Sequence, residues 1–209
     1  MVVGMTVTPE TANVPTESGN DVLDIVIIGA GISGIGAAYH LGQQTPGARY
    51  VVLERRERIG GTWDLFSYPG VRSDSSIFTL SWPWEPWTGR EYVADGDVIR
   101  DYMEDTAKKH GIFGHIRFHT TVVSTDWDSA TDTWTVHAEA NGVPMSYRGR
   151  FVFFGSGYYN YDEPYNPDFP GLDTFTGQVV HPQHWPEDLD YTGKNVVVIG
   201  SGATAVSLV

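Results

Sequence analysis

Three glycines, Gly29, Gly31 and Gly34, stand in the spacing GxGxxG, and Glu54 follows 20 residues after the last of them. That set suits a dinucleotide. Gly29 allows a tight turn, Gly31 lets a pyrophosphate come close to the backbone, and Gly34 lets a helix pack on a strand. The phosphate charge would rest on unpaired N–H groups at a helix N-terminus. Glu54 would accept hydrogen bonds from a ribose diol. The design recurs at Gly200-Ser201-Gly202-Ala203-Thr204-Ala205, with alanine in the last position, which the pattern allows. The absence of cysteine excludes disulfides, thiolate metal sites, a cysteine nucleophile and a redox dithiol. His40, His110, His115, His119 and His137 have no metal-ligand spacing, and no metal site is expected.

A GxGxxG taken alone is weak evidence, so the flanking elements decide its meaning. Asp24-Ile25-Val26-Ile27-Ile28 runs straight into the first glycine, as a buried parallel strand would. Ile35 to Leu41 follows with a helical pattern, and the apolar run Tyr50 to Leu53 delivers Glu54. Strand, helix and acid are in register for a βαβ unit from about Val22 to Glu54. Asn195 to Ile199 plays the strand's part before the second glycine set. The last residue, Val209, falls about two helical turns into that second unit. This second unit is expected to be truncated, with Val196 to Ile199 as a bare sheet edge.

The chain has 209 residues, 41% of them hydrophobic, which suffices for a packed core. Its formal charge of −13 argues against nucleic acid and against an electrostatic grip on anionic lipid. It does not argue against a phosphate cofactor, because backbone N–H groups bind phosphate without net positive charge. No apolar run approaches the roughly 18 residues of a membrane span. Residues 1–20 carry no secretory signal pattern and are expected to be a disordered lead-in. A cytoplasmic protein is expected, with peripheral membrane association as an alternative raised by its tryptophans.

Between the two glycine sets the sequence divides clearly. Asp97 to His110 has the helical spacing of Val98, Ile99, Tyr102, Met103 and Ala107, with Gly111 as its stop. The period then changes to two. Arg117 to Val123, Thr133 to Ala138 and Tyr147 to Phe154 read as strands, with Asn141-Gly142 as a hairpin turn. The fold class is therefore α/β: a Rossmann-like domain at 21–170 with an antiparallel meander at about 116–154, a linker at 171–194, and the start of a second Rossmann unit at 195–209. Gly155-Ser156-Gly157 ends the last strand in small residues, which would let a second cofactor pass close to the backbone. Trp82, Trp84 and Trp87 read as core or loop anchors, or as an apolar wall near a substrate or membrane.

Two longer patterns carry a resemblance. Gly60-Gly61-Thr62-Trp63, Tyr68-Pro69-Gly70 and Asp74 fit (A/G)GxWxxxx(F/Y)PGxxxD. Phe175, Gly177, His181, Trp185 and Pro186 fit FxGxxxHxxxWP. Both resemble the Baeyer–Villiger group of class B flavoprotein monooxygenases, and with Gly157 to Glu163 and His181 to Val206 the likeness extends to that class's mycobacterial members. Trp185 weighs against the related N- and S-oxidising flavin monooxygenases, which usually carry Tyr or Phe there. The resemblance runs from about Asp24 to the last residue and covers the N-terminal half of that family's length.

The resemblance implies an FAD- and NADPH-dependent monooxygenase acting with O2 on a small ketone or a sulfur or nitrogen centre. A non-catalytic flavin-binding remnant is the rival from another class. On this reading Gly29, Gly31, Ser33 and Gly34 hold the FAD pyrophosphate and Glu54 its adenosine ribose. Gly61, Thr62, Trp63 and Asp64 line the flavin side, and Val122 offers its backbone to the adenine. Asp74 lies near the flavin ring and orients a catalytic arginine that none of the arginines present matches. Arg72 and Ser73 approach NADP, and Gly200, Ser201, Gly202, Ala203, Thr204, Ala205, Val206 and Ser207 open its phosphate site. His181 and Trp185 belong to an inter-domain hinge. Plain structural readings stand beside these: a satisfied linker histidine at 181, a surface pair in Arg72 and Asp74, and a core tryptophan at 63.

Overall fold

The computed structural model describes residues 21–209, so the expected lead-in at 1–20 lies outside the described residues. The first strand, β1 (Val22–Ile28), is followed by helix α1 (Ile32–Gln44) and strand β2 (Tyr50–Leu53). Val26, Ile27, Val52 and Leu53 are at most 1% exposed, and burying each such side chain stabilises the fold by about 1.5–3 kcal/mol. Two one-turn helices, α2 (Thr62–Leu65) and α3 (Ile77–Leu80), lead to the long helix α4 (Gly96–Lys109). Ile99, Met103, Thr106 and Ala107 form the buried stripe of α4, while Val98 faces out.

The strand expected at Arg117 to Val123 is two strands. Ile116–Arg117 (β3) lies parallel on β2, and Thr120–Asp128 (β4) belongs to the meander. His119 between them has φ +52°, which turns the chain away from one sheet edge towards another. The meander continues with β5 (Thr133–Ala140) and β6 (Val143–Phe154). Asn141 and Gly142 join these with φ +50° and +80°, both positive as a two-residue hairpin turn needs.

One mixed sheet results, in the order β3-β2-β1-β6-β5-β4. Its central device is β6. The first part of β6 pairs antiparallel with β5, from Val143 to Gly149, and the last part pairs parallel with β1, from Arg148 to Phe154. Gly149 sits at the changeover, where a Cβ would stand 3.0 Å from the Val26 side chain. Although β3 and β4 lie at opposite ends of the sheet order, only Phe118 and His119 separate them, and Thr120 N–H bonds the Glu54 carbonyl at 2.9 Å. The meander therefore folds back over the end of β2. Two cores follow, one between the sheet and helices α1 and α4, and one around Leu23, Val26, Ile28, Val51, Leu53 and Val136 under the meander.

The tryptophans belong to the first core. Trp82 is buried and stacks on Trp84 and Tyr102, and Trp84 stacks on Tyr39 at a centroid distance of 3.5 Å. The reading as core and loop anchors fits these contacts, and none of the three lines the cleft described below. No described helix is long and apolar enough to cross a membrane.

One expected strand does not form. Residues 195–200 have no ladder partner, and Val196, Val197 and Ile199 are 62%, 83% and 69% exposed. A strand is defined by hydrogen bonds to a neighbour, and no described strand lies alongside this one to supply them. The helical part of the same motif does form, as α5 (Ala203–Leu208), because a helix satisfies its own backbone.

Candidate dinucleotide-binding site

A cleft of about 310 Å³ opens where β1, β2 and β6 end. Its floor is the glycine turn, and the three glycines differ in what holds them there. Gly29 has φ +98°, and a Cβ on it would come within 2.6 Å of the Gly155 carbonyl oxygen. On Gly34, a Cβ would lie 1.9 Å from the Gly29 carbonyl oxygen, so α1 sits on the turn only because that side chain is missing. At Gly31 a Cβ would meet nothing closer than the Gly61 Cα, at an ordinary 3.7 Å. The fold itself does not exclude a side chain at Gly31. The space left open there faces the cleft, as it must if a ligand backbone is to pass.

Helix α1 begins at this turn with Gly31 as its N-cap, no side-chain cap and no acid in its first turn. Its first N–H groups and its positive dipole end are left for an anion, on a helix of 13 residues. Ser33, exposed in that first turn, adds a hydroxyl at the cleft wall.

Glu54 is 4% exposed. Its Oε2 accepts the Ala30 N–H at 2.8 Å and its Oε1 the Arg56 N–H at 2.9 Å. The carboxylate thus braces the glycine turn while facing the cleft, and each oxygen keeps a lone pair for a further donor. The loop after β2 is held by a second acid, Asp64, whose side chain is fully buried. Arg56 Nε lies 2.6 Å from its Oδ2 and Arg58 Nε 2.9 Å from its Oδ1. This clamp sets Gly61 against Gly31 and places Gly61, Thr62 and Trp63 on the cleft wall.

The meander supplies the opposite wall. Thr120, Thr121 and Val122 line the cleft, and the register of β4 on β5 shifts between Val122 and Ser124. Such a bulge frees backbone groups from the ladder. Gly155, Ser156 and Gly157 line this same cleft. The cause is the parallel pairing of β6 on β1, which ends both strands side by side.

Of the expected site residues, Gly29, Gly31, Ser33, Glu54, Gly61, Thr62, Trp63 and Val122 meet around this cleft. Gly34 lies beneath it. Asp64 does not line it, since its carboxylate faces Arg56 and Arg58. Asp74 and Arg72 are exposed and outside it. Ser73 is buried, and its backbone N–H and its hydroxyl bond Ala94 at 2.9 and 3.1 Å, a structural pairing. The expected NADP segment, Gly200 to Ser207, is also outside the cleft. It touches the Tyr68-Pro69-Gly70 turn, where a Cβ on Gly70 would stand 2.8 Å from the Ser207 carbonyl oxygen. His181 accepts the Gln183 N–H on Nδ1 at 3.1 Å, and burial, with His184 close by, holds its imidazole below the usual value. Trp185 packs edge-on against Tyr191.

Several contributors beyond the meander wall were not legible as site residues. Arg55, Asn160 and Tyr161 line the cleft, and Gln183, 6% exposed, donates its side-chain amide to the Asn160 carbonyl at 2.6 Å. Burial and the nearby Glu54 carboxylate raise the Tyr161 phenol above its ordinary value. The sequence signal for Asn160 and Tyr161 was the long match from Gly157 to Glu163, and for Gln183 the match from His181 to Val206; neither names a role for them.

The geometry can now be set beside known proteins. An NAD(P)-binding Rossmann-like domain model matches residues 27–90, and the flavin-binding monooxygenase-like family model matches residues 87–209, more than half of the chain. The FAD-containing monooxygenase EthA of Mycobacterium tuberculosis is 57% identical over 187 residues, which is 90% of this chain and 38% of the relative. The putative FAD-containing monooxygenase MymA of the same species is 53% identical over 91% of this chain and 39% of its own length. The chain thus spans well under half the length of these relatives. Among solved structures, an oxidized steroid monooxygenase bound to NADP has a TM-score of 0.76 and 32% identity over 90% of this chain and 36% of its own. Cyclohexanone monooxygenase from Rhodococcus sp. Phi1 bound to NADP+ has a TM-score of 0.74 and 31% identity, covering 90% of this chain and 35% of its own. A glycine turn braced by a buried acid, in a sheet that these structures share, agrees with the sequence matches: the chain belongs to the flavin-binding monooxygenase-like family, as a class B member related to mycobacterial EthA and the Baeyer–Villiger enzymes.

Proposed function

We propose that this chain forms the FAD-binding part of an FAD- and NADPH-dependent monooxygenase that inserts one oxygen atom of O2 beside a ketone carbonyl or onto a sulfur or nitrogen centre. The observation that carries the reading is the cleft at the end of β1: an uncapped helix N-terminus, Gly31 with no packing reason to be glycine, and Glu54 bonded to the Ala30 N–H. The α1 N-terminus would receive the pyrophosphate, with the Ser33 hydroxyl beside it. Glu54 would take the adenosine ribose on its free lone pairs, and the bulged backbone at Val122 would meet the adenine. Gly61, Thr62 and Trp63 would flank the flavin end and keep water from it. FAD bound there supplies the chemistry, accepting hydride from the nicotinamide and activating O2.

The finer assignments rest on sequence motifs. Asp74 is assigned an orienting role near the flavin. Arg72, Ser73 and the segment Gly200 to Ser207 are assigned to NADPH, supported by the contact of Ser207 with Gly70, two residues before Arg72. His181 and Trp185 are assigned to a hinge in a linker over 171–194. The Baeyer–Villiger outcome is favoured over N- or S-oxidation by Trp185 in the FxGxxxHxxxWP pattern. The test is direct. Purified chain incubated with FAD and desalted should stay yellow with a flavin spectrum, and a longer protein that contains this segment together with a whole nicotinamide domain should convert a cyclic ketone to the lactone with NADPH. A colourless protein after desalting removes the cofactor assignment. Retained flavin with no lactone from any ketone, but with an oxidised sulfide or amine, moves the reading to heteroatom oxidation.

A further inference from the structure

Of the hydroxyl groups around the cleft, two are already spent on the protein. Thr120 donates to the Phe118 carbonyl at 3.0 Å, and the Tyr159 hydroxyl accepts from Tyr158 at 3.3 Å. Tyr161 is different. It lines the cleft, and its hydroxyl has no hydrogen-bond partner among the described residues. The hydroxyl oxygen lies 3.7 Å from where a Cβ on Gly61 would stand, and that same point is 3.2 Å from the Gly31 Cα. Phenol and Gly31 therefore border one spot, at the start of α1. Burial, with the Glu54 carboxylate nearby, raises the phenol above its ordinary value, so it is an O–H donor at neutral pH. An O–H donor beside the free N–H groups of a helix N-terminus completes a donor set for one anion. Glu54, an acceptor, suits the diol instead.

Tyr161 is held through both of its neighbours. The Asn160 side-chain oxygen accepts the N–H groups of Asp162 and Glu163 at 3.1 and 3.2 Å, which closes a turn around Tyr161. The Asn160 carbonyl in turn accepts the Gln183 side-chain amide at 2.6 Å. Gln183 is 6% exposed, and its own backbone N–H bonds His181 Nδ1, so this donor is fixed at its backbone as well. On the other side Asp162 pairs with the Arg55 guanidinium, which lies over the Tyr161 ring at 5.8 Å. That ion pair is exposed and contributes little. The buried amide is the stronger tie.

We propose that Tyr161 is a cofactor-binding residue whose hydroxyl donates to the dinucleotide pyrophosphate beside Gly31, and that Gln183 is a positioning residue for that hydroxyl. The proposal rests on the FAD reading of the cleft. It gives Gln183, which does not line the cleft, a defined effect on cofactor binding.

The experiment uses the whole chain and follows FAD by flavin fluorescence, with ADP and adenosine as competitors. Tyr161→Phe removes only the hydroxyl and keeps the ring beneath Arg55, so the variant is expected to fold, and circular dichroism checks this. Loss of a hydrogen bond to a charged oxygen should raise the Kd of FAD and of ADP about ten-fold. Adenosine, which lacks the pyrophosphate, should bind as before. Gln183→Met keeps the length of the side chain and removes the donor. It should weaken FAD about three-fold in the wild-type background, and add nothing measurable to Tyr161→Phe, because both changes act through one hydroxyl. Unchanged FAD affinity in Tyr161→Phe overturns the assignment of the hydroxyl, and an equal loss for adenosine overturns its place at the pyrophosphate. Additive losses in the double variant overturn the positioning role of Gln183. If the wild-type chain takes up no FAD, the cofactor reading itself has failed and the assignment of Tyr161 falls with it.

Discussion

At the scale of single residues, the glycine turn separates positions that the fold requires to be glycine from one, Gly31, that it does not. Gly34→Ala drives a methyl into the Gly29 carbonyl oxygen, 1.9 Å away, and is expected to destabilise the chain by more than about 3 kcal/mol. Gly31→Ala meets only ordinary contacts, so its cost should stay near that of an N-cap change, about 1 kcal/mol or less. Its effect should fall on FAD, with affinity reduced roughly ten-fold or more, because a methyl stands where the pyrophosphate must approach the backbone. Thermal melts paired with flavin titration check both substitutions, and a Gly31→Ala variant with unaltered FAD affinity would remove the glycine's assigned role. Glu54→Gln is expected to impair both properties. Its NH2 group faces a backbone N–H that a carboxylate oxygen had accepted, at a cost of about 1–3 kcal/mol, and it loses an acceptor for the ribose. Denaturant unfolding without FAD isolates the first effect.

At the scale of elements, the structure shows how remote pieces hold the site still. The side chain of Asp64 contributes to the site only through Arg56 and Arg58, by fixing the loop that brings Gly61 to Gly31. Asp64→Ala leaves two partly exposed arginines without their partner and should lower stability by about 2–4 kcal/mol. Flavin binding should weaken with it, an outcome that calorimetry of the free and FAD-loaded chain resolves. A second clamp joins the tryptophan loop to α4. Glu85 accepts from Lys109 at 2.7 Å and pairs with His110 at 2.8 Å, and these two bonds hold its carboxyl below the usual carboxylate range. A depressed folded value means the stabilisation is complete above the ordinary carboxylate value and is lost as pH falls through the depressed one. Stability should therefore drop on acidification in that window, and Glu85→Gln should flatten that part of the profile, read by thermal melts from neutral pH to about pH 3.

For the molecule as a whole, apolar side chains stay exposed along the last part of β6. Phe151 and Phe154 on β6 are 66% and 60% exposed, and the edge of β6 beyond Gly149 has no ladder partner on the β5 side among the described strands. Val196, Val197 and Ile199 add further exposed apolar surface. Unpaired edges beside apolar side chains favour association. The purified chain is expected to self-associate as its concentration rises, seen by light scattering, and Phe151→Lys should reduce this without altering FAD affinity. A monomer at all concentrations would show that this surface is covered in some other way.

Much of the architecture was legible before any coordinates. The first βαβ unit, α4, the hairpin at Asn141-Gly142 and the grouping of Gly29, Gly31 and Glu54 all follow from local patterns. Apolar runs, helical spacing and glycine positions act over a few residues and fold the same way wherever they occur. What distance decides was not legible. His119 splits one expected strand in two, because its turn is set by where Glu54 and Arg56 accept and offer backbone bonds. Val196 to Ile199 has the composition of a strand but no neighbour to bond. Gly155 to Gly157 joins the first cleft only because β6 lies parallel on β1. Arg55 and Asp162 look like ordinary surface charges until folding sets them 2.6 Å apart. The sequence by itself determined the family and the cofactor-binding turn, since these rest on short-range spacing. The tertiary structure alone decided which segments share the cleft, because contacts between residues 107 positions apart depend on the path of the whole sheet.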